Sequence, residues 1–267
     1  EQSISFPSSI LLIERRHSSD YPGSPGIGKE IVACSRDENL VYKGAMGRLK
    51  NEFSWSRSRM KNFEECRRMY WFGAYGMWDG WDARADARTK EIYILSKLKN
   101  RWMWVGEVVH NAVAELLETY RAGGTVAEID IRERMRVQWK SSKDEVYRQP
   151  RKAKTTALFE HDYGIEVDDW KEVALHAETC YQNFLQSSYH NELKEKTGEQ
   201  WLGIEELDSF FLDESRVFVK LDAVHRTSDG IRIVDWKTGR KESESDPFQL
   251  AVYALYANDA WRIPPDK

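Results

Sequence analysis

The residues best placed to do chemistry lie in Val217 to Gly239, VFVKLDAVHRTSDGIRIVDWKTG. Two apolar runs flank Ser228-Asp229-Gly230, which reads as a hairpin turn. The first run carries Asp222, the second ends on Asp235, and Lys237 follows two residues later. Alternation with period two puts Asp235 and Lys237 on one face of one strand. Two carboxylates and a lysine converging at one sheet edge are the minimum equipment for metal-assisted phosphodiester cleavage.

The elements that must position these groups follow from periodicity and caps. Before the hairpin, Gln200 to Leu212 reads as a strand containing Glu205 and Glu206. After it, Asp246 as N-cap and Pro247 at the first helical position start a helix running to about Asn258. Gln249 and Tyr253 share a face of that helix. Further upstream, Val105 to Tyr120 is an amphipathic helix striped by Val109, Val113, Leu116, Leu117 and Tyr120, with His110 at the edge of the stripe. Gly106 lies one turn before His110 and permits a close backbone approach. Gly123-Gly124 ends that helix, and Thr125 with Glu128 reads as the capping box of the next, which runs to about Glu145. A third long helix is expected from Asp168 or Asp169 to about Leu193, with Trp170, Val173, Leu175, Ala177, Tyr181, Phe184 and Leu185 among its apolar positions. Helices first, then a strand meander, then a closing helix predict a mixed α/β (α+β) fold with a small central sheet.

Phe53 to Tyr75 reads as one helix capped by Ser54 or Ser56, with Met60, Phe63, Arg67, Tyr70 and Trp71 at helical spacing. Cations in its first turn oppose the helix dipole, which a bound phosphate would offset. Arg57, Arg59, Lys61, Arg67 and Arg68 form one basic group; Arg148, Arg151, Lys152 and Lys154 form another. Most of the 11 tryptophans are expected in the core, with one or two free to stack on bases. Residues 1–52 have weak periodicity and read as an arm with one or two short strands.

Composition narrows the class. The chain has 267 residues, enough for one large domain or for one domain with an appendage. A net charge of −4 argues against bulk polyanion binding, so any nucleic-acid contact has to come from local clusters. No run reaches the roughly 18 apolar residues of a membrane span. Ser8 to Ile13 lacks a basic flank before it and a cleavage pattern after it, so no signal peptide is expected. Three widely spaced cysteines fit a reducing compartment, here cytoplasmic or nucleoid-associated.

Taken together, these elements resemble the RecB-like branch of the PD-(D/E)xK nuclease superfamily. GEVVH matches the family's Gly-x-x-x-His helix, KLDAV its first aspartate strand, IVDWKTGR its Asp-x-Lys-Thr-Gly segment and Gln249-x-x-x-Tyr253 its following helix. SWSRSRMKNFEECRRMYW is similar to its upstream serine-arginine-cysteine segment. The resemblance implies a restriction-endonuclease-like core over residues 53–267, with a helical insertion. It implies that His110, Asp222 and Asp235 bind Mg²⁺ or Mn²⁺, assisted by the Trp236 carbonyl, and that Lys237 activates water and offsets charge at the phosphate. Gln249 and Tyr253 would position this segment or touch DNA, and Arg57, Arg59, Arg67 and Arg68 would hold phosphates. Glu205 or Glu206 would add a carboxylate, the choice resting on strand register.

The implied activity is a metal-dependent DNA nuclease acting on single strands or duplex ends, in repair, recombination or phage defence. The other readings are a catalytically silent DNA-binding or structural subunit of a larger complex, and a hydrolase of RNA or small phosphates. No Gly-x-x-x-x-Gly-Lys-Ser/Thr loop is present, so strand separation would fall to a helicase or other partner. Lys220 stands where many relatives have glycine, and Arg67 follows Cys66 where relatives often have proline. No cysteine follows Tyr253, so an iron–sulfur cluster is not expected unless cysteines follow Lys267.

Overall fold

A computed structural model of the chain describes residues 10–16, 50–125, 129–149, 155–196, 198–228, 230–239 and 246–264. Its centre is a five-stranded sheet of β1 (Ile10–Arg16), β2 (Ser54–Trp55), β3 (Trp201–Leu212), β4 (Ser215–Arg226) and β5 (Gly230–Trp236). β4 is the hub. β3 runs antiparallel along its length on one edge. On the other edge β5 pairs antiparallel with its C-terminal half, and β2 pairs parallel at Arg216 and Val217. β1 extends the sheet as an antiparallel neighbour of β5, with Leu11 opposite Asp235. The family expectation of a small mixed sheet flanked by helices is met.

The helices follow in chain order: α1 (Arg57–Glu65), α2 (Arg67–Trp71), α3 (Ala87–Leu95), α4 (Arg101–Arg121), α5 (Ile131–Lys143), α6 (Phe159–Asp162), α7 (Trp170–Gln186), α8 (Ser188–Lys194) and α9 (Pro247–Trp261). They divide the core between the two faces of the sheet. α4, α5 and α7 bury Val108, Leu117, Met135 and Ala177 against Ala223, Val234 and Trp236. α9 buries Val252, Tyr253 and Tyr256 against Val217, Val219, Leu221, Ile231 and Ile233. With both faces covered, β4 is buried continuously from Leu221 to His225, as a two-sided strand must be. Truncating a fully buried side chain such as Leu117 removes about 2–5 kcal/mol.

Four local expectations need correction. The helix expected over 53–75 is broken. Ser54 and Trp55 are strand; Ser56 caps α1 by accepting from the Arg59 amide; and Cys66 is extended at φ −159°, ψ 108°, its sulfur accepting from the Met69 amide to start α2. The chain then passes through a π-helical turn, Phe72–Gly76. The long helix expected to Leu193 breaks likewise at Ser187, which caps α8. α5 begins not after Thr125 but after Asp130, whose carboxylate accepts from the Glu133 amide. The same carboxylate-to-N3 logic applies, moved five residues on. Glu128 lies outside the described residues, as do Arg151, Lys152 and Lys154 of the second basic group. Finally, Leu175, assigned to the apolar stripe of α7, is half exposed.

Candidate metal and phosphodiester site

Asp222 and Asp235 sit on neighbouring strands, each 6% exposed. The alternation of β4 slips beside Asp222: Val217, Val219 and Leu221 join the α9 side, as does Val224, while Ala223 joins the α4 side. On β3, Glu205 next to the Ile204–Ala223 pair adopts a left-handed φ of 50°, rare for a non-glycine residue and concentrated at functional sites. These two irregularities aim both carboxylates at α4. The His110 Nδ1 lies 2.9 Å from Glu205 Oε1 and 3.4 Å from Asp222 Oδ1. Ligand atoms of His110, Glu205 and Asp222 all lie within 4.8 Å of one another.

The choice between the two glutamates is thereby made: Glu205 faces the site. Glu206 is half exposed and lies 3.8 Å from Arg121. A Cβ at Gly203 would come within 3.2 Å of the Glu206 carboxylate, so the glycine makes room for it.

The second half of the site is built by hydrogen bonds. Gln249 Nε2 donates to Asp235 Oδ1 at 3.0 Å and to the Tyr253 hydroxyl at 2.6 Å. That hydroxyl lies 3.1 Å from Asp235 Oδ1 and 3.2 Å from the Lys220 carbonyl. Burial and the neighbouring aspartates hold its pKa far above the usual tyrosine value, so it stays a neutral donor. Tyr253 is 3% exposed, which makes it a positioning residue rather than a strand contact. Lys237, a third exposed, forms an ion pair with the buried Asp235 Oδ2, which has no other polar partner among the described residues. Asp222 Oδ2 accepts from the Trp236 amide at 2.6 Å and so ties the two aspartate strands together.

Electrostatically the site is crowded with negative charge. Burial opposes a charged His110, yet Asp222 and Glu205 outweigh it and raise its pKa to about 10. Burial, with Glu205 and Asp235 nearby, raises the Asp222 carboxyl despite the histidine. Burial works against the Glu205 carboxylate as well, but His110 and Lys220 overcome it and hold its pKa below the usual range.

Three contributors escaped the sequence reading. Lys220 is half exposed and reaches Glu205 Oε2 at 2.9 Å; its signal was its place two residues before Asp222 on a strand. His176 on α7 donates from Nε2 to the Thr238 carbonyl at 2.9 Å, fixing the chain just after Lys237. Thr238 in turn lies against Gly106, where a Cβ would come within 3.2 Å of Thr238 Oγ1. The close approach expected of that glycine is therefore to the catalytic segment itself. His176 left no signal, because an apolar stripe accepts a histidine without changing its period.

Of the four arginines expected at phosphates, two are engaged inside the chain. Arg57 Nε pairs with Asp246 Oδ2 at 2.6 Å, so the carboxylate of the α9 cap offsets the cation in the first turn of α1. Arg59 hydrogen-bonds Ser54. Arg67 and Arg68 lie over the rings of Phe63 and Phe72.

Among the described residues no helix is long and apolar enough to cross a membrane. No significant match is found among curated proteins or among solved structures. A family model described as the PD-(D/E)XK nuclease superfamily matches residues 54–266, a span that begins at β2 and takes in every site residue named above. A match over most of the chain, joined to this arrangement of Asp222, Asp235 and Lys237, makes the chain a member of the PD-(D/E)XK nuclease superfamily.

Proposed function

We propose that the chain is a divalent-metal-dependent deoxyribonuclease of the RecB-like branch, acting on single strands or duplex ends in repair, recombination or phage defence. One observation carries this reading: His110, Glu205 and Asp222 converge on one point, and Asp235 with Lys237 stands on the neighbouring strand, tied to Asp222 through the Trp236 amide.

The donor set fits a hard divalent cation. His110, Glu205 and Asp222 form a preassembled group of ligand atoms, and Asp235 adds a buried carboxylate oxygen, Oδ2, ion-paired with Lys237. Carboxylates with one imidazole suit Mg²⁺ or Mn²⁺. Bound there, such an ion would polarise a phosphoryl oxygen and lower the pKa of its water.

The remaining work falls to the chain. His110 must give up its proton to act as a ligand, so metal binding releases a proton. Gln249 and Tyr253 fix the rotamer of Asp235. Lys237 stands beside that carboxylate with its ammonium partly open to solvent, where it offsets charge on a scissile phosphate and orients the attacking water. His176 and Gly106 hold the backbone of the Lys237–Thr238 segment in register.

End-labelled single-stranded, duplex and closed circular DNA incubated with Mg²⁺ or Mn²⁺ tests the reading. Wild type should cleave, and Asp235→Ala and Lys237→Ala should not. Failure of wild type to cut any substrate overturns the reading. Cleavage of closed circles excludes a strict need for ends, and DNA binding without cleavage supports the silent-subunit alternative.

A further inference from the structure

The segment from α1 through the π-helical turn has a composition its packing does not require. Phe63, Trp71 and Tyr75 are 46%, 52% and 37% exposed. They are nonetheless ordered by their neighbours. Phe63 meets Tyr70 edge to face at 5.4 Å, and Tyr70 meets Tyr75 at 5.9 Å. The Trp71 indole lies across Gly76, where a Cβ would come within 2.7 Å of the ring. Arg67 lies over Phe63, and Arg68 lies over Phe72, which packs edge to face against Trp71; neither arginine makes an ion pair among the described residues. The turn that presents Trp71 and Tyr75 is π-helical, a rare geometry that favours functional sites.

Exposed, preordered rings beside cations without a carboxylate partner among the described residues are complementary to one class of ligand: a single strand whose bases are unstacked and whose backbone is negative. A duplex hides its base faces and offers such rings nothing to stack on. The segment also adjoins the site. Arg57 at the start of α1 binds the Asp246 cap of α9 and covers the Phe248 ring at 5.3 Å, one turn before Asp235-bound Tyr253.

Resting on the nuclease reading above, we infer that Phe63, Tyr70, Trp71 and Tyr75, with Arg67 and Arg68, form a stacking platform that grips single-stranded DNA beside the catalytic edge. The rings supply sequence-tolerant stacking and the two arginines supply phosphate contacts.

The test is fluorescence anisotropy in EDTA, with a labelled oligothymidine and a blunt duplex of equal length, alongside the metal-dependent cleavage assay on wild type. Trp71→Ala should weaken oligothymidine binding on the order of tenfold and duplex binding far less. Trp71→Phe should restore most of the loss, because a ring remains. Arg67→Gln combined with Arg68→Gln should flatten the salt dependence of binding by about 1.4 units of log–log slope. Unchanged oligothymidine affinity in a folded Trp71→Ala, Phe63→Ala double variant overturns the platform. So does an equal loss on the duplex, or a change of oligomeric state with DNA affinity intact, which marks a protein-binding surface instead. If the platform variants bind normally while wild type still cleaves, the platform alone is wrong. If wild type neither binds nor cleaves, the nuclease reading falls first.

Discussion

The two halves of the candidate site are held by different physics. Around Asp235 the partners are mostly neutral: a glutamine amide and a buried tyrosine hydroxyl fix one oxygen, and the lysine stands at the other. Around Asp222 they are charged: an imidazole, a second carboxylate and, beyond it, Lys220. Hydrogen bonds from neutral donors set direction and leave the acceptor charged. The charged cluster instead balances itself internally, with His110 standing in for a cation. The first half therefore fixes direction, and the second is a charged cluster whose donor set suits the cation proposed above.

The strongest way to break this contrast is to remove the charged members of the first half. Asp235→Ala and Lys237→Ala should each lower cleavage on the order of a thousandfold, read as kcat/KM on a labelled single strand. If the Lys237 variant retains full activity, the orientation half has no chemical role.

Acid sharpens the contrast from outside the site. His225, on β4 beyond Asp222, is fully buried; its Nδ1–H donates to the Arg226 carbonyl, and its Nε2 accepts from the Tyr189 hydroxyl at 2.5 Å. Burial pushes its pKa down to about 4. A folded-state value below the ordinary 6.5 means the contribution is complete above pH 6.5 and lost as pH falls towards 4. Urea unfolding should show a loss of about 3 kcal/mol over that window, and His225→Asn should flatten that part of the profile.

Gln249→Ala tests orientation by neutral donors and His176→Ala tests the backbone support. Each should lower activity about 10–100-fold with unchanged circular dichroism, and the Gln249 effect should fall on kcat rather than on KM. The smallest effect is expected at Lys220. Removing it leaves Glu205 with one cation fewer, so Lys220→Ala should tighten Mn²⁺ binding by roughly threefold in titration calorimetry. Weaker Mn²⁺ binding instead would mean that Lys220 supports the ligand geometry.

The hairpin, the capped start of α9 and the His110 helix were legible because each is specified locally. Period two, an Asp-Pro cap and a 3.6-residue stripe need no tertiary information. The helix breaks at Cys66 and Ser187 were not legible. A small polar residue that turns extended and caps the next helix looks, in sequence, like one more polar position on a solvated face. Glu205 and Glu206 could not be separated by alternation, because the left-handed φ at Glu205 suspends the alternation there. The ion pair of Arg57 was not legible for a related reason: its carboxylate partner lies 189 residues away. Spacing within one element carries no information about such a contact.

The order of the elements has a consequence for synthesis. His110 is made early, on α4, while the hydrogen-bond donors that orient Asp235 lie on α9, the last helix described. A chain growing from its N-terminus has both aspartates translated before the helix that aims the second. Within this chain, the orientation of Asp235 therefore waits until α9 folds back over β4 and β5.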